Sequence, residues 1–212
     1  MGRKPAFVAL VLVLSSLVPA HGQLSSLYGF GQAVGLYTPI TGGTVLVATT
    51  FDDMVFEQPV PPFFFNGSYH STVFVSSNGF LTLGTAPVAT NYIPLSNTAT
   101  YTGAISPFGA NLINSTVGTP EIRYEQVGAE LVFQWQDVKR FAVGTERFSF
   151  QARVNTTTGV IRFVYGSVSN LSTVTTHQAE TGLRGPTNAF ANVKNRRVTT
   201  GADTWATSLA AT

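Results

Sequence analysis

The chain is predicted to be all-β: a single antiparallel β-sandwich domain of the jelly-roll, lectin-like or immunoglobulin-like kind. Three observations carry this. Only 10% of the 212 residues are charged, while Phe occurs 16 times and Thr, Ser, Gly and Asn are plentiful. Long helices draw on Glu, Lys, Ala and Leu; strands draw on Thr, Val, Phe and Tyr. Several segments alternate apolar and polar residues with the period of two that a half-buried strand needs. Asn-Gly and Gly-containing turns punctuate those segments.

The first 22 residues stand apart. Arg3 and Lys4 precede an apolar run, Ala6 to Leu14, and Pro19-Ala20-His21-Gly22 has the small, turn-prone character of a cleavage site. This is the pattern of a secretory signal peptide, and its apolar run is shorter than the roughly 20 residues of a spanning helix. The domain boundaries that follow are 1–22 for the signal and 23–212 for the sandwich, with no membrane span after cleavage. The chain has 12 Lys and Arg against 10 Asp and Glu, and two of the basic residues lie in the signal. The remainder is near neutral, which excludes nucleic acid as a partner on electrostatic grounds. There is no cysteine. A cysteine-free exported chain fits a bacterial source better than an animal one. Four Asn-x-Ser/Thr sequons, at Asn66, Asn114, Asn155 and Asn170, are glycan acceptors if the source is eukaryotic, and read as chance in a polar bacterial β-sequence, the favoured reading.

The strands are expected in order. Thr44–Phe51 is the first. Gln58-Pro59-Val60-Pro61-Pro62 cannot donate a full ladder and belongs at an edge or in a crossing loop. Phe63–Phe65 enters the next element, and Asn66-Gly67-Ser68 turns it. In VFVSSNGFLTLG (73–84), Asn78-Gly79 between apolar runs reads as a two-residue type I′ turn, with Ser77 opposite Phe80 and Ser76 opposite Leu81. Both faces of that hairpin are apolar, so it belongs near the middle of its sheet. Glu121–Glu125 alternates with Ile122 and Tyr124 inward. Segments 131–136, 147–154 and 160–165 form a three-strand meander, apolar on one face and polar on the other. Its turns are Gly144-Thr145-Glu146 and Asn155–Gly159. Leu183 and Phe190 read as buried, and Trp205 as a plug at the end of the sandwich.

These motifs, in this order, resemble a family. GLYTPITGGT (35–44), FDD (51–53), FFFNGSYHSTVFVSSNGFLTLG (63–84), AISPFGANL (104–112), FSFQARVNTTTGVIRFVYG (148–166) and TGLRG (181–185) are similar to the N-terminal β-sandwich domain of large secreted surface proteins of Bacteroidetes-type bacteria. Those proteins often carry fibronectin-like repeats and a sorting domain for type IX secretion. More loosely, the Asn-Gly hairpin is similar to nidogen-like extracellular domains. The resemblance implies export and extracellular or cell-surface life, and it implies no catalytic residue.

The candidate sites are few. Asp52 and Asp53, with Glu57 nearby, offer oxygen ligands for calcium, against a plain strand-end turn; no other cofactor is expected. Glu125, Glu130, Asp137 and Glu146 are the carboxylates a polysaccharide hydrolase would need, but Glu125, Glu130 and Glu146 sit at turns or strand ends, where solvated charge is expected. His70 and His177 belong to no recognisable triad or zinc set. Trp135 and Tyr165 fall on the inward face by parity. Tyr69, Tyr92 and Tyr101 fall in loops and are freer to stack on sugars. The irregular stretch 85–103, beside the Asn78 tip, is the expected binding region. The expected function is a non-enzymatic binding or adhesion module for a glycan or a surface protein. An extracellular hydrolase and a structural spacer in a longer surface protein are the alternatives.

Overall fold

The computed structural model describes residues 24–170 and 179–199. The expected signal peptide, His177, Trp205 and the side chain of Phe190 lie outside the described residues. Two six-stranded antiparallel sheets make one sandwich. The first sheet runs β1 (Thr44–Ala48), β7 (Glu121–Val127), β8 (Glu130–Arg140), β9 (Phe148–Asn155), β10 (Ile161–Tyr165). In it β6 (Leu112–Asn114) pairs with the far end of β8. The second runs β12 (Val193–Thr199), β11 (Ala179–Arg184), β5 (Gly103–Gly109), β4 (Phe80–Leu83), β3 (Ser68–Ser76), β2 (Val55–Phe65). A four-residue helical turn, α1 (Leu24–Leu27), precedes them.

The expected meander is β8–β9–β10, and its apolar face is the core. Trp135, Phe133, Phe148, Phe150, Ala152 and Val154 are buried, and Ile161 and Phe163 pack against them. Opposite lie Val73, Val75, Leu81, Leu83, Ile105 and Phe108 of the second sheet. Trp135 stacks on Phe150 with centroids 5.2 Å apart, and Phe108 meets Phe148 edge-on at 5.1 Å. The Trp135 indole N–H donates to the Ser76 carbonyl at 2.9 Å, so one side chain both fills the core and ties the sheets together. Burial of each such side chain contributes about 1.5–3 kcal/mol.

The hairpin at 73–84 corrects the expected register. Ser76 pairs with Phe80, Val75 with Leu81 and Phe74 with Thr82, one residue displaced from the two-residue reading. The loop is Ser77-Asn78-Gly79, closed by the Gly79 N–H on the Ser76 carbonyl at 3.2 Å. Gly79 has φ 81°, while Asn78 is not among the residues with positive φ, so this is not a type I′ turn. A Cβ at Gly79 would stand 2.1 Å from the Phe108 carbonyl oxygen, which reserves the position for glycine. The displacement has a packing reason. It puts Val73, Val75, Leu81 and Leu83 on one inward face, whereas the expected register splits them. The type I′ geometry belongs instead to Asn66-Gly67, with φ 46° and 88° between the paired residues Phe65 and Ser68.

The proline run lies on β2, an edge strand that pairs with β3 alone, and the ladder is interrupted between Pro59 and Phe63. Prolines at 59, 61 and 62 remove backbone donors from an edge that would otherwise template further pairing. One further expectation changes. Glu146 is not solvated at its turn: it and Arg140 form a fully buried ion pair at 2.6 Å. That pair sets the 141–147 loop, whose Ser115 contact adds a hydroxyl donated to the Glu146 carbonyl at 3.1 Å. Leu183 is buried as expected.

Candidate functional site

The outer face of the first sheet is polar, as its alternation predicts, but it is covered. Residues 37–42 cross it. Gln134 accepts from the Ile40 N–H at 2.9 Å and donates to the Ile40 carbonyl at 3.3 Å. Gln151 donates to the Thr38 carbonyl at 2.9 Å, and Arg123 donates to the carbonyls of Thr41 and Gly42. Ile40 is buried by this crossing. Beyond it, Glu130 takes both Arg153 and Arg162. A lone isoleucine in a polar stretch, opposite two glutamines paired across β8 and β9, is the signal sequence reasoning passed over.

The outer face of the second sheet is covered by the segment expected to bind ligand. Two side chains of β11 hold it. The Glu180 carboxylate accepts the backbone N–H groups of Leu95 at 2.6 Å and Ser96 at 3.3 Å. Arg184 donates to the Pro94 carbonyl at 3.0 Å, to the Asn97 carbonyl and side chain at 3.0 and 2.9 Å, and to the Ala99 carbonyl. The Tyr101 ring lies over its guanidinium at 5.1 Å. Both charged residues are 1% exposed. Burial pushes the Glu180 carboxyl up from its ordinary value, against the opposing pull of its N–H donors. Burial likewise lowers the Arg184 guanidinium.

Asn78 and Tyr101 therefore have different places from those expected. Asn78 is fully buried. Its amide nitrogen donates to Asp53 at 2.9 Å and to the carbonyls of Ala89 and Asn91 at 3.2 Å each. Its amide oxygen accepts the Leu112 N–H at 2.9 Å. Tyr101 is 4% exposed, and its hydroxyl accepts from Asn91 at 2.8 Å. These residues are joints of the cover rather than tips in solvent. Tyr92 is half-buried on the same segment. Asp53 is committed to Asn78, while Asp52 is exposed, its carboxyl pushed up by partial burial and then by the charge of Asp53. Among the described residues no three His, Asp or Glu side chains gather as a metal group would require.

Tyr69 is in solvent, but on β3 rather than in the loop expected from the sequence. It is 75% exposed, and its cross-strand partner Phe64 is 47% exposed. Their rings meet edge-on with centroids 5.3 Å apart. Their strand neighbours point the other way. Phe63 and Phe65 are buried, and Tyr28 packs on Phe65 at 5.5 Å. His70 lies 5.9 Å from the Phe63 ring, and burial lowers its imidazole below the ordinary value. The hairpin is thus clamped from inside and offers two aromatic side chains outward. From Gln58 to Pro120 no Asp, Glu, Lys or Arg occurs, so the hairpin tip itself carries none.

A family model described as NIDO related matches residues 27–212. The chain belongs to the NIDO-related family. The match agrees with the looser, nidogen-like resemblance of the Asn-Gly hairpin and makes this a domain of extracellular type. No curated protein and no solved structure matches the chain. Among the described residues, no helix of this NIDO-related domain is long and apolar enough to cross a membrane.

Proposed function

We propose that this NIDO-related domain is a non-enzymatic extracellular recognition module that binds neutral glycan on the outer face of its β2–β3 hairpin. The observation that carries the reading is the Phe64–Tyr69 pair, exposed on a strand pair whose alternate side chains are locked in the core. A flat ring offers its face to the C–H side of a pyranose, and the Tyr69 hydroxyl adds a polar handle. Contacts held on a rigid scaffold lose little freedom on binding. The absence of Asp, Glu, Lys and Arg from the hairpin tip favours an uncharged ligand over an acidic one. Adhesion suits such a surface.

The carboxylates support the non-enzymatic reading. Of the described Asp and Glu residues only Asp52 and Glu57 are exposed. Glu121, Glu130 and Glu146 are paired with arginine, and Glu125 accepts the Gly42 N–H at 3.0 Å. A glycoside hydrolase needs two carboxyl groups facing one open cleft, one able to give a proton. The test is a glycan array probed with the domain from Leu24 onward, with and without calcium. Binding to neutral glycans that falls in Tyr69→Ala supports the reading. Binding that survives in Tyr69→Ala, or none on the array, overturns it in favour of another face or a spacer role.

A further inference from the structure

The four sequons are treated differently by the fold. Asn66 is 4% exposed within its type I′ turn, and a Cβ at Gly185 would stand 2.8 Å from its amide nitrogen. No added sugar fits there. Asn114 uses both ends of its amide, accepting the Phe51 N–H at 3.0 Å and donating to the Ser115 carbonyl at 3.5 Å. The rest of the Asn170 sequon lies outside the described residues.

Asn155 is different. It opens the turn between β9 and β10, and its amide oxygen folds back to accept the N–H groups of Thr157 at 3.0 Å and Thr158 at 2.8 Å. This Asx turn commits the oxygen and leaves the nitrogen over. The neighbouring hydroxyls are also committed: Thr156 donates to the Ala129 carbonyl at 3.1 Å, and Thr158 accepts the Val160 N–H at 3.4 Å. Within the described residues, the Asn155 amide nitrogen and the hydroxyl of exposed Thr157 make no hydrogen bond. Those two groups are the ones a sequon offers a transferase. An asparagine alone suffices for the turn; the hydroxyl two residues on has no part in it.

From this geometry we propose that Asn155 carries an N-linked glycan and that Asn66 does not. The donor is an oligosaccharide linked to a polyprenyl pyrophosphate. The Asn155 amide nitrogen bonds to the anomeric carbon, and the bond from that carbon to the pyrophosphate oxygen breaks. Polyprenyl pyrophosphate leaves with the electron pair, and the amide proton passes to a base of the transferase. The glycan then stands on a hairpin tip of the first sheet, whose strands do not include Phe64 and Tyr69.

The test is translation of the full chain with rough microsomes, followed by protease protection and peptide mapping after glycosidase release in heavy-oxygen water. A second version, with an established secretory leader ahead of Leu24, covers failure of the chain's own leader. The expected result is a heavy-oxygen tag at Asn155, with one mobility step lost in Asn155→Gln and in Thr157→Val and retained in Asn66→Gln. Protected chain with Asn155 untagged in both versions, or a tag at Asn66, overturns the proposal.

Discussion

Replacing Asn78 by Ala tests whether the cover over the second sheet is architecture. The side chain is fully buried and makes four hydrogen bonds, one of them to the Asp53 carboxylate. A hydrogen bond to a charged group contributes about 1.5–3 kcal/mol, and leaving the Leu112 N–H bare in the interior costs about 1–3 kcal/mol. The two carbonyls of Ala89 and Asn91 share what remains of the amide, and such terms are not additive. The expected loss is about 3–5 kcal/mol. For a domain of this size each kcal/mol lowers Tm by about 2–4 °C, so Asn78→Ala melts roughly 10 °C early. Urea unfolding with an unchanged slope is the assay. Asn78→Asp adds a control, since it keeps an acceptor for Leu112 but sets a second carboxylate against Asp53. It unfolds most readily at neutral pH and recovers in acid. A loss under about 1 kcal/mol for Asn78→Ala would refute the reasoning, because a buried four-bond joint cannot be removed so cheaply.

Other outcomes follow from the same geometry. Glu146→Ala removes the carboxylate that faces the buried Arg140 guanidinium and costs about 3–5 kcal/mol, while Arg140→Met combined with Glu146→Leu recovers most of it; equal urea midpoints for the two would contradict full burial of the pair. Burial raises the Glu180 carboxyl above its ordinary value, so folding favours the protonated form. That stabilisation is full below the ordinary carboxylate range and is lost as pH rises through the raised value, so Glu180→Gln gains on the native protein as pH rises from the ordinary carboxylate range through the raised one. A gap that narrows with rising pH would reverse the sign and the argument. Replacing Pro59, Pro61 and Pro62 of β2 with Val restores donors to an exposed edge, and light scattering should show self-association; a monomer at all concentrations would mean that the prolines are not what guards it.

Much of the scaffold was legible in the sequence because alternation is a local signal with one buried face. Phe148, Phe150, Ala152 and Val154 read inward from the sequence and are inward in the structure. The 73–84 register differs from the sequence expectation because Asn-Gly is only part of a three-residue loop. The clue lay in the flanking residues: only a one-residue displacement brings Val73, Val75, Leu81 and Leu83 to one face. Buried charges were not legible. Glu146, Glu180 and Arg184 look like solvated residues until a partner from elsewhere in the chain closes over them. For Glu180 and Arg184 that partner is a segment more than eighty residues earlier. Tyr69, expected in a loop, is the second residue of β3 and is exposed because it points away from the buried Phe63 and Phe65 face. Phe64, its pair, was hidden inside an apolar triplet whose middle member alone points outward.

The central claim is that recognition lives on the Phe64–Tyr69 face while the Asn78–Tyr101–Arg184 network is framework. Affinity for the neutral glycan identified on the array, measured by titration calorimetry beside Tm, tests it most directly. Tyr69→Ala is predicted to lose roughly tenfold or more in affinity at an unchanged Tm, and Asn78→Ala to keep native affinity at temperatures where it is folded. Native affinity in Tyr69→Ala together with lost affinity in folded Asn78→Ala would contradict the account and move the site under the cover.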